Sequence, residues 1–292
     1  MPALPELPPL PAEYEIARGE RSVCVRRRDW IELLEREGYG PEREPRWRTS
    51  ALSGRKPLEE LESPRGTLLL RRFSHGGLLR AITGSRFRDP ARPFHELALA
   101  CALEARGLST ALVVGARARA AAGGGWFLDL LSVRVEGARD LESLLVELRA
   151  GAARPREMTE LLRGAGAFVR ALHDAGLYHV DLTTKNLLVR ETQAGARFVV
   201  LDLDRSLLLE QLPPQARERN LRRLLRFVLR REERGTRALA PRDFLAFLAG
   251  YEPRSAERRR LARALLEGHR QQLGWHRIGW GVERVLGLRR RS

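Results

Sequence analysis

The sequence contains few cysteines and no long hydrophobic run. Cys24 and Cys101 are its only cysteines, too few for a disulfide scaffold or a thiolate metal site, and they fit a reducing compartment. No apolar run approaches the roughly 20 residues that span a bilayer. The N-terminal MPALPELPPLPAEYE lacks the basic and apolar regions of a secretory signal. These absences predict a cytoplasmic protein and still allow peripheral membrane contact.

Lysine is also scarce, so the positive charge comes almost wholly from arginine. Lys56 and Lys185 are the only lysines among 53 Lys and Arg residues, which stand against 37 Asp and Glu and leave a net charge of +16. Arginine-rich surfaces favour phosphate-bearing partners or anionic membranes, because a guanidinium binds phosphate oxygens through two hydrogen bonds. The alternative interpretation is that arginine replaces lysine through genomic base composition, which would account for at least half of the excess. No motif indicates nucleic-acid binding, so we expect no nucleic-acid partner.

The length and composition predict an ordered protein of two lobes. The 292 residues are 43% apolar, which suffices for a sizeable core. Residues 1–45 are predicted to be a partly extended N-terminal extension, proline-rich to about residue 20 and with a short helical pattern near residues 25–38. Strand patterns and one long helix occupy residues 46–138, whereas residues 139–292 are mostly helical and carry the basic C-terminal segment. The predicted fold class is α+β, with a small β-rich N-lobe and a helical C-lobe.

Periodicity places the main elements. Residues 66–73 are typical of a strand and residues 92–108 of a helix, and two further strands are expected near 111–117 and 126–135. In the second lobe, the runs NLLV and RFVVLDLD predict a small hairpin. Helices are expected over residues 140–148, 158–176, 215–231, 241–249 and 256–269.

The densest set of polar residues borders this hairpin. A helix leads into His179-Val180-Asp181, Asn186 opens one strand five residues later, and Asp202 closes the paired strand. Two carboxylates and an amide therefore come to one loop edge. Phosphoryl transfer needs such a set, because one carboxylate must orient the attacking hydroxyl and accept its proton. A second carboxylate and an amide oxygen must hold Mg²⁺ against the phosphates.

The pattern His179-Val180-Asp181-(x)4-Asn186 resembles the catalytic loop of the protein-kinase-like superfamily, and Asp202 resembles the aspartate of its metal-binding DFG segment. A longer series resembles the lipopolysaccharide kinases, specifically the 3-deoxy-D-manno-octulosonic acid (Kdo) kinase group, over roughly residues 52–226. The resemblance implies a bilobal protein-kinase-like fold with ATP and Mg²⁺ as cofactors. The matching stretches are GTLLLRRFSHGGLLR, RPFHELALACALEARGL, LSVRVEGARDLESLL, DAGLYHVDLTTKNLLV, VVLDLDRS and RERNLRRLLR.

The resemblance assigns roles in the second lobe. Asp181 would be the catalytic base, Asn186 and Asp202 would be the Mg²⁺ ligands, and His179 would brace the loop. The alternative interpretation is structural: Asp181 caps a loop and Asp202 ends a strand, as aspartate often does.

In the first lobe, the resemblance implies a cation for the ATP phosphates, although the strand carries no lysine. Arg71 is the first choice and Arg72 the second, because the strand aligns with an LRHY-like strand of the family. Glu96 on the following helix would be the matching glutamate. It would otherwise be an exposed carboxylate near a helix N-terminus, where the dipole favours it.

Other positions carry weaker signals. Gly54 and Arg55 precede the strand where a phosphate-covering loop would lie, and we predict that they bind nucleotide, although a full GxGxxG pattern is absent. Gly76-Gly77 either shapes an acceptor-facing loop or forms an ordinary turn. Asp204 replaces the glycine that follows the metal-binding aspartate in protein kinases, which argues against their activation-segment switch.

The C-terminal stretch GWHRIGWGVERVLGLRRRS alternates apolar residues with arginines, as an interfacial basic helix does. Together with Arg222, Arg223 and Arg226, it indicates contact with anionic lipid head groups or lipid A phosphates. A packed helix with a solvated arginine tail explains the pattern equally well.

The resemblance implies an ATP-dependent kinase that phosphorylates a sugar hydroxyl of the lipopolysaccharide inner core, with Kdo of Kdo-lipid A as the acceptor. It would work in the cytoplasm, peripheral on the cytoplasmic face of the inner membrane, with that anionic surface as a further partner. The alternatives are a heptose kinase or protein kinase of the same fold, or a non-catalytic pseudokinase that serves as a binding module.

Overall fold

Two units make up the part of the chain that the computed structural model describes, which comprises residues 4–51, 58–75, 85–150, 155–193, 195–233 and 241–273. Unit 1 contains the described residues up to Glu136 together with Leu203–Arg205, and unit 2 contains those of Gly137–Asp202 and from Ser206 onward. Residues 4–45 therefore group with the sheet that follows them.

Unit 1 is built on a seven-stranded antiparallel sheet with the spatial order β1-β2-β6-β7-β5-β4-β3. A 3-10 turn and a short helix, α1, follow β2, and a longer helix, α2, lies between β5 and β6. The bounds are β1 (Tyr14–Arg18), β2 (Ser22–Arg27), α1 (Ile31–Arg36), β3 (Arg48–Thr49), β4 (Glu59–Leu61), β5 (Leu68–Arg72), α2 (Arg92–Glu104), β6 (Val113–Ala120) and β7 (Trp126–Val133).

Apolar alternation in β5 separates the two faces of this sheet. Leu68 and Leu70 are fully buried and pack with Trp30 and Leu34 near α1. On the opposite face, α2 packs against β6 and β7. Because successive side chains of a strand point to opposite faces, Arg71 lies on the α2 face and Arg72 on the other.

The N-terminal strands differ from the sequence prediction, which assigned an extended arm and a helical pattern to this region. β2 pairs with β6 as an interior strand, and Val23, Cys24 and Val25 are all fully buried. A strand covered on both faces shows no apolar–polar alternation, so its sequence carries no period of two. Helical structure is confined to the 3-10 turn over residues 28–30 and to α1, and the helical prediction for residues 25–27 was wrong, because they belong to β2.

A buried ion pair links β6 to β7. Arg117 is fully buried, and its Nε and Nη2 donate to Oδ2 of Asp129 at 3.0 and 2.7 Å. Nη1 of Arg117 donates to the carbonyl of Gly40 at 2.9 Å, and the Tyr39 hydroxyl donates to Oδ1 of Asp129 at 2.9 Å. These bonds compensate the desolvation of both charges and attach the Tyr39–Arg43 loop to the sheet.

Removing the Asp129 carboxylate is expected to destabilise the fold by about 3–5 kcal/mol, because Arg117 would remain charged in the core without its partner. Urea unfolding of Asp129→Ala measures this loss. Asp29→Ala is the matched control, since Asp29 pairs with Arg27 and Arg65 at the surface, and its cost is expected to stay below about 1 kcal/mol. Equal losses in the two variants would contradict the proposed role of the buried pair.

Unit 2 is mostly helical and contains a three-stranded sheet, β11-β10-β8, and a two-stranded one, β12-β9. The described helices include none long and apolar enough to cross a membrane. The bounds are β8 (Ala138–Asp140), α3 (Leu141–Ala150), α4 (Pro155–Asp174), β9 (Leu177–Tyr178), β10 (Leu187–Thr192), β11 (Gly195–Val200), β12 (Leu207–Leu208), α5 (Pro214–Glu233), α6 (Pro241–Tyr251) and α7 (Ser255–Leu273).

Two glycines bring α4 and α6 into backbone contact. A Cβ atom at Gly166 would lie 2.0 Å from the carbonyl oxygen of Phe247, and one at Gly250 would lie 1.9 Å from that of Arg163. Each helix therefore presents a glycine to the backbone of the other. Any side chain at either position would push the helices apart.

Candidate active site

The loop between β9 and β10 carries the candidate catalytic residues. α4 ends at Asp174, β9 is two residues long, and residues 179–186 then lead into β10. β10 and β11 pair from Leu187 opposite Val200, and the Leu201 amide donates to the Asn186 carbonyl at 2.9 Å. This extra bond extends the ladder by one step. Asn186 and Asp202 consequently lie at the same end of the hairpin.

His179 fastens this loop to the end of β11. Its side chain is buried, Nε2 lies 2.9 Å from the Leu201 carbonyl, and Nδ1 accepts the Asp181 amide at 3.1 Å. Burial lowers the pKa of His179, so the ring is neutral at pH 7 and carries its proton on Nε2. The imidazole thus spans from the hairpin to the backbone of Asp181 and braces the loop.

Asn220 on α5 fixes the same loop from the other side. Its Oδ1 accepts the His179 amide at 3.0 Å, and its Nδ2 donates to the His179 carbonyl at 2.9 Å. One buried amide therefore satisfies both polar groups of one backbone residue. The sequence prediction missed Asn220, although it is the one uncharged polar residue between the arginines of RERNLRRLLR.

His173, at the end of α4, extends this buried network. Its Nδ1 lies 2.8 Å from the Tyr251 hydroxyl at the end of α6, and its Nε2 lies 3.4 Å from Oδ1 of Asn220. Burial lowers the pKa of His173 to about 4. A neutral ring here joins α4, α5 and α6 beneath the catalytic loop.

Stability is expected to fall as the pH drops from about 6.5 toward about 4. In this window His173 of the unfolded chain binds a proton while the buried ring does not, so the unfolded state binds more protons. At pH 5 the loss relative to pH 7 is on the order of 2 kcal/mol from this group. Urea unfolding at both pH values measures it for the wild type and for His173→Gln. A variant with the same pH dependence as the wild type would contradict the assignment.

Asp181 lies between Asn186 and α5. Nδ2 of Asn186 donates to the Asp181 carbonyl at 2.8 Å, which turns Oδ1 of the amide away from that contact. The Asp181 carboxylate accepts bonds from Nε, at 3.1 Å, and Nη2 of Arg223. The sequence left open whether Arg223 contacts lipid or lies on a packed helix, and the structure places it against the predicted catalytic base.

Asp202 has a backbone conformation that is uncommon for a residue with a side chain. Its φ is +56°, in the left-handed region where a Cβ atom is strained, although aspartate tolerates it better than most residues. Such strain concentrates at functional sites, where surrounding structure maintains it. The conformation supports a positioned carboxylate over a simple strand end.

The donor set at the hairpin end fits Mg²⁺. Among the described residues, no group of three or more His, Cys, Asp or Glu side chains could hold a metal ion. Asp202 and Asn186 supply one carboxylate and one amide oxygen. Mg²⁺ in phosphotransfer sites binds through one or two such oxygens together with substrate phosphates and water, so a small all-oxygen set is sufficient.

In unit 1, Arg71 of β5 forms an ion pair with Glu96 of α2. The Glu96 side chain is only 5% exposed, and the Arg71 guanidinium lies 4.7 Å from the centre of the Phe73 ring. Arg72 instead binds Glu59 and Glu44 on the opposite face. The structure therefore separates the two candidate cations and brings Arg71 together with the predicted glutamate.

Asp204, which stands where protein kinases have glycine, forms an ion pair with Arg92 at the start of α2. The Arg92 guanidinium lies 4.7 Å from the centre of the Phe87 ring. Arg92 and Glu96 are four residues apart, so one face of α2 holds both charged partners. Asp204 therefore forms a specific contact within unit 1, at the position where protein kinases have glycine.

Several predicted positions lie outside the described residues. They are Gly54 and Arg55 of the predicted phosphate-covering loop, Gly76-Gly77, and the basic C-terminal segment from residue 274.

Comparisons with known proteins agree with the motif resemblance. A family model described as the lipopolysaccharide kinase (Kdo/WaaP) family matches residues 44–251. A 3-deoxy-D-manno-octulosonic acid kinase from Pasteurella multocida is 29% identical over 187 residues, which cover 63% of this chain and 74% of that protein. A protein of the same name from Stenotrophomonas maltophilia strain R551-3 is 30% identical over 213 residues, with coverages of 68% and 76%.

A solved structure described as WaaP in complex with acyl carrier protein is similar in fold. The TM-score is 0.57 at 19% identity, over 84% of this chain and 91% of that chain. At this identity the likeness concerns the fold alone. It confirms the predicted class, a protein-kinase-like α+β fold with a strand-rich N-terminal region and a helical remainder.

Proposed function

The chain belongs to the lipopolysaccharide kinase (Kdo/WaaP) family, and from that premise we propose that it transfers the γ-phosphoryl group of ATP to a hydroxyl of Kdo in Kdo-lipid A. The observation that carries the proposal is the loop in which His179 and Asn220 hold Asp181 beside Asn186, at the end of the hairpin that also carries Asp202. Curated relatives named Kdo kinase support the choice of acceptor.

Asp181 is the proposed catalytic base. Its carboxylate orients the sugar hydroxyl and accepts its proton as the oxygen attacks the γ-phosphorus. The new bond joins the sugar oxygen to phosphorus, the bond from phosphorus to the β–γ bridging oxygen breaks, and ADP leaves with that electron pair. Because this chemistry relies on positioning, the bonds that fix the loop backbone contribute by holding the carboxylate in place.

Arg71 is the proposed cation for the ATP phosphates, and Glu96 sets its orientation. A buried glutamate that pairs with a half-buried arginine restricts the guanidinium to one direction. Asn186 and Asp202 are the proposed Mg²⁺ ligands. When bound, the ion neutralises charge on the triphosphate.

We further propose that the enzyme works at a membrane surface. Its acceptor is anchored in a bilayer by lipid A, and the net charge of +16 favours an anionic surface. The arginines of the C-terminal segment would add to this attraction.

An acceptor panel tests the proposed function. The purified chain is incubated with γ-labelled ATP, Mg²⁺ and Kdo-lipid A, lipid A without Kdo, a heptose-bearing core or a generic protein substrate. We expect label only in acceptors that contain Kdo. Labelling of lipid A without Kdo, labelling that requires heptose, or binding of ATP with no transfer would each overturn the proposal, the last in favour of a pseudokinase.

A further inference from the structure

Arg223 presents one edge of its guanidinium to Asp181. Nε and Nη2 both donate to the same carboxylate oxygen, Oδ1, with the Nε bond at 3.1 Å. The pair is accessible to solvent, since the side chains of Arg223 and Asp181 are 42% and 31% exposed. An ion pair at this position meets any acceptor that approaches the catalytic carboxylate.

The Arg223 guanidinium has a second donor edge, formed by Nη1 and Nη2. Arginine has five N–H donors arranged along two edges, each of which binds a carboxylate through two parallel bonds. Asp181 occupies the Nε/Nη2 edge, and within the described ranges Nη1 of Arg223 donates no hydrogen bond. The Nη1/Nη2 edge can therefore bind a second anion, on the same guanidinium whose Nε/Nη2 edge binds the catalytic base.

Further cationic residues lie near Arg223 along α5 and in the loop that carries Asp181. Arg219 and Arg226 lie one turn before and after Arg223 on α5, and Lys185 is exposed in the turn that follows Asp181. The nearby carboxylate Glu218 is engaged by Arg222. An anion that binds the free edge gains from these charges.

We propose that Arg223 binds the carboxylate of the acceptor sugar through its Nη1/Nη2 edge while the Nε/Nη2 edge holds Asp181. This inference rests on the proposed function, because it takes the acceptor to be a sugar acid. One planar group that bridges two carboxylates fixes the sugar relative to the base, so the reacting hydroxyl is placed by the acid group of the same sugar. A neutral heptose lacks this group, which makes Arg223 a specificity determinant.

A substrate–variant cycle tests the proposal. The acceptors are Kdo-lipid A, its carboxyl-reduced form and a form without the lipid A phosphates. For the wild type, carboxyl reduction is expected to lower kcat/KM by about 100-fold or more. On intact Kdo-lipid A, kcat/KM of Arg223→Gln should be lower than that of the wild type by a similar factor. On the carboxyl-reduced acceptor, kcat/KM of this variant should fall little further. Arg223→Lys should not restore the wild-type value, because an ammonium cannot bind two carboxylates through planar edges.

Arg263→Gln is the control, because Arg263 is an exposed arginine on α7 and its loss changes the net charge equally. It should keep the full dependence on the acceptor carboxyl. Unchanged ATP affinity and thermal unfolding of Arg223→Gln would show that the variant is folded.

The outcomes separate two failures. If the wild type labels none of the Kdo acceptors, the proposed function is wrong. If it labels them but wild type and Arg223→Gln respond equally to carboxyl reduction, the role of Arg223 alone is wrong. The inference would also be overturned if the effect of Arg223→Gln on kcat/KM depended on the lipid A phosphates and not on the carboxyl group of the sugar.

Discussion

Asp181→Asn is expected to lower kcat for phosphoryl transfer by about 10²- to 10⁴-fold, the usual contribution of a general base. Asparagine keeps the size of the side chain and an oxygen that accepts from Arg223, and the backbone bonds to His179 and Asn186 do not involve the side chain. Folding and ATP affinity should therefore change little. Transfer of label to Kdo-lipid A, together with ATP binding and thermal unfolding, measures the three quantities separately.

The control for this substitution is Asp174→Asn, which makes the same chemical change at a surface carboxylate paired with Arg170 and Arg217. It should retain near wild-type kcat. A value of kcat for Asp181→Asn within a few-fold of wild type, on a folded protein that binds ATP, would remove Asp181 from its proposed role.

Asp202→Gly is expected to abolish measurable transfer while leaving the fold almost as stable as the wild type. The substitution removes the proposed metal ligand, and loss of one such ligand costs orders of magnitude in rate. Glycine, however, adopts the φ of +56° at this position without steric strain. We expect a free energy of unfolding within about 1 kcal/mol of wild type, because this relief offsets the greater entropy of glycine in the unfolded chain. Asp202→Ala should be less stable than Asp202→Gly by about 1 kcal/mol, since it keeps a strained Cβ atom.

Arg205→Gly separates backbone strain from metal binding. Arg205 also has a positive φ, +60°, but its exposed side chain is not a proposed ligand, so this variant should retain transfer. The measurement is Mg²⁺-dependent thermal stabilisation by ATP, with labelling as the second readout. Full Mg²⁺-dependent stabilisation in Asp202→Gly would show that the metal is held by other residues.

The order along the chain of the elements that carry the candidate residues could be predicted, because local patterns encode it. The strand with Arg71, the helix with Glu96 and the hairpin between Asn186 and Asp202 each combine a clear period with a recognisable motif. The N-terminal strands could not be predicted in the same way. Arg26, in β2, is buried and forms ion pairs with Glu15 and Glu35. A charged residue therefore occupies a position at which the sequence pattern of a buried strand would have an apolar one.

The contacts that fix the catalytic loop come from residues far along the chain. Asn220 bonds to His179 across 41 residues and Arg223 to Asp181 across 42. No local period relates such positions, and their partners become apparent only when α5 is seen to pack beneath the loop. Family motifs identified the helix as relevant but did not assign a role to either residue.

The close approach of α4 and α6 fixes the position of each helix relative to the other. At Gly166 and Gly250 each helix contacts the main chain of the other. If either helix moved along or around its axis, side chains would replace these glycines and clash with backbone atoms. Tyr251, the residue after Gly250, meets His173 near the C-terminal end of α4. The glycine contact therefore sets the distance between α4 and α6, and with it the spacing of the buried His173–Tyr251 pair that lies beneath the candidate catalytic loop.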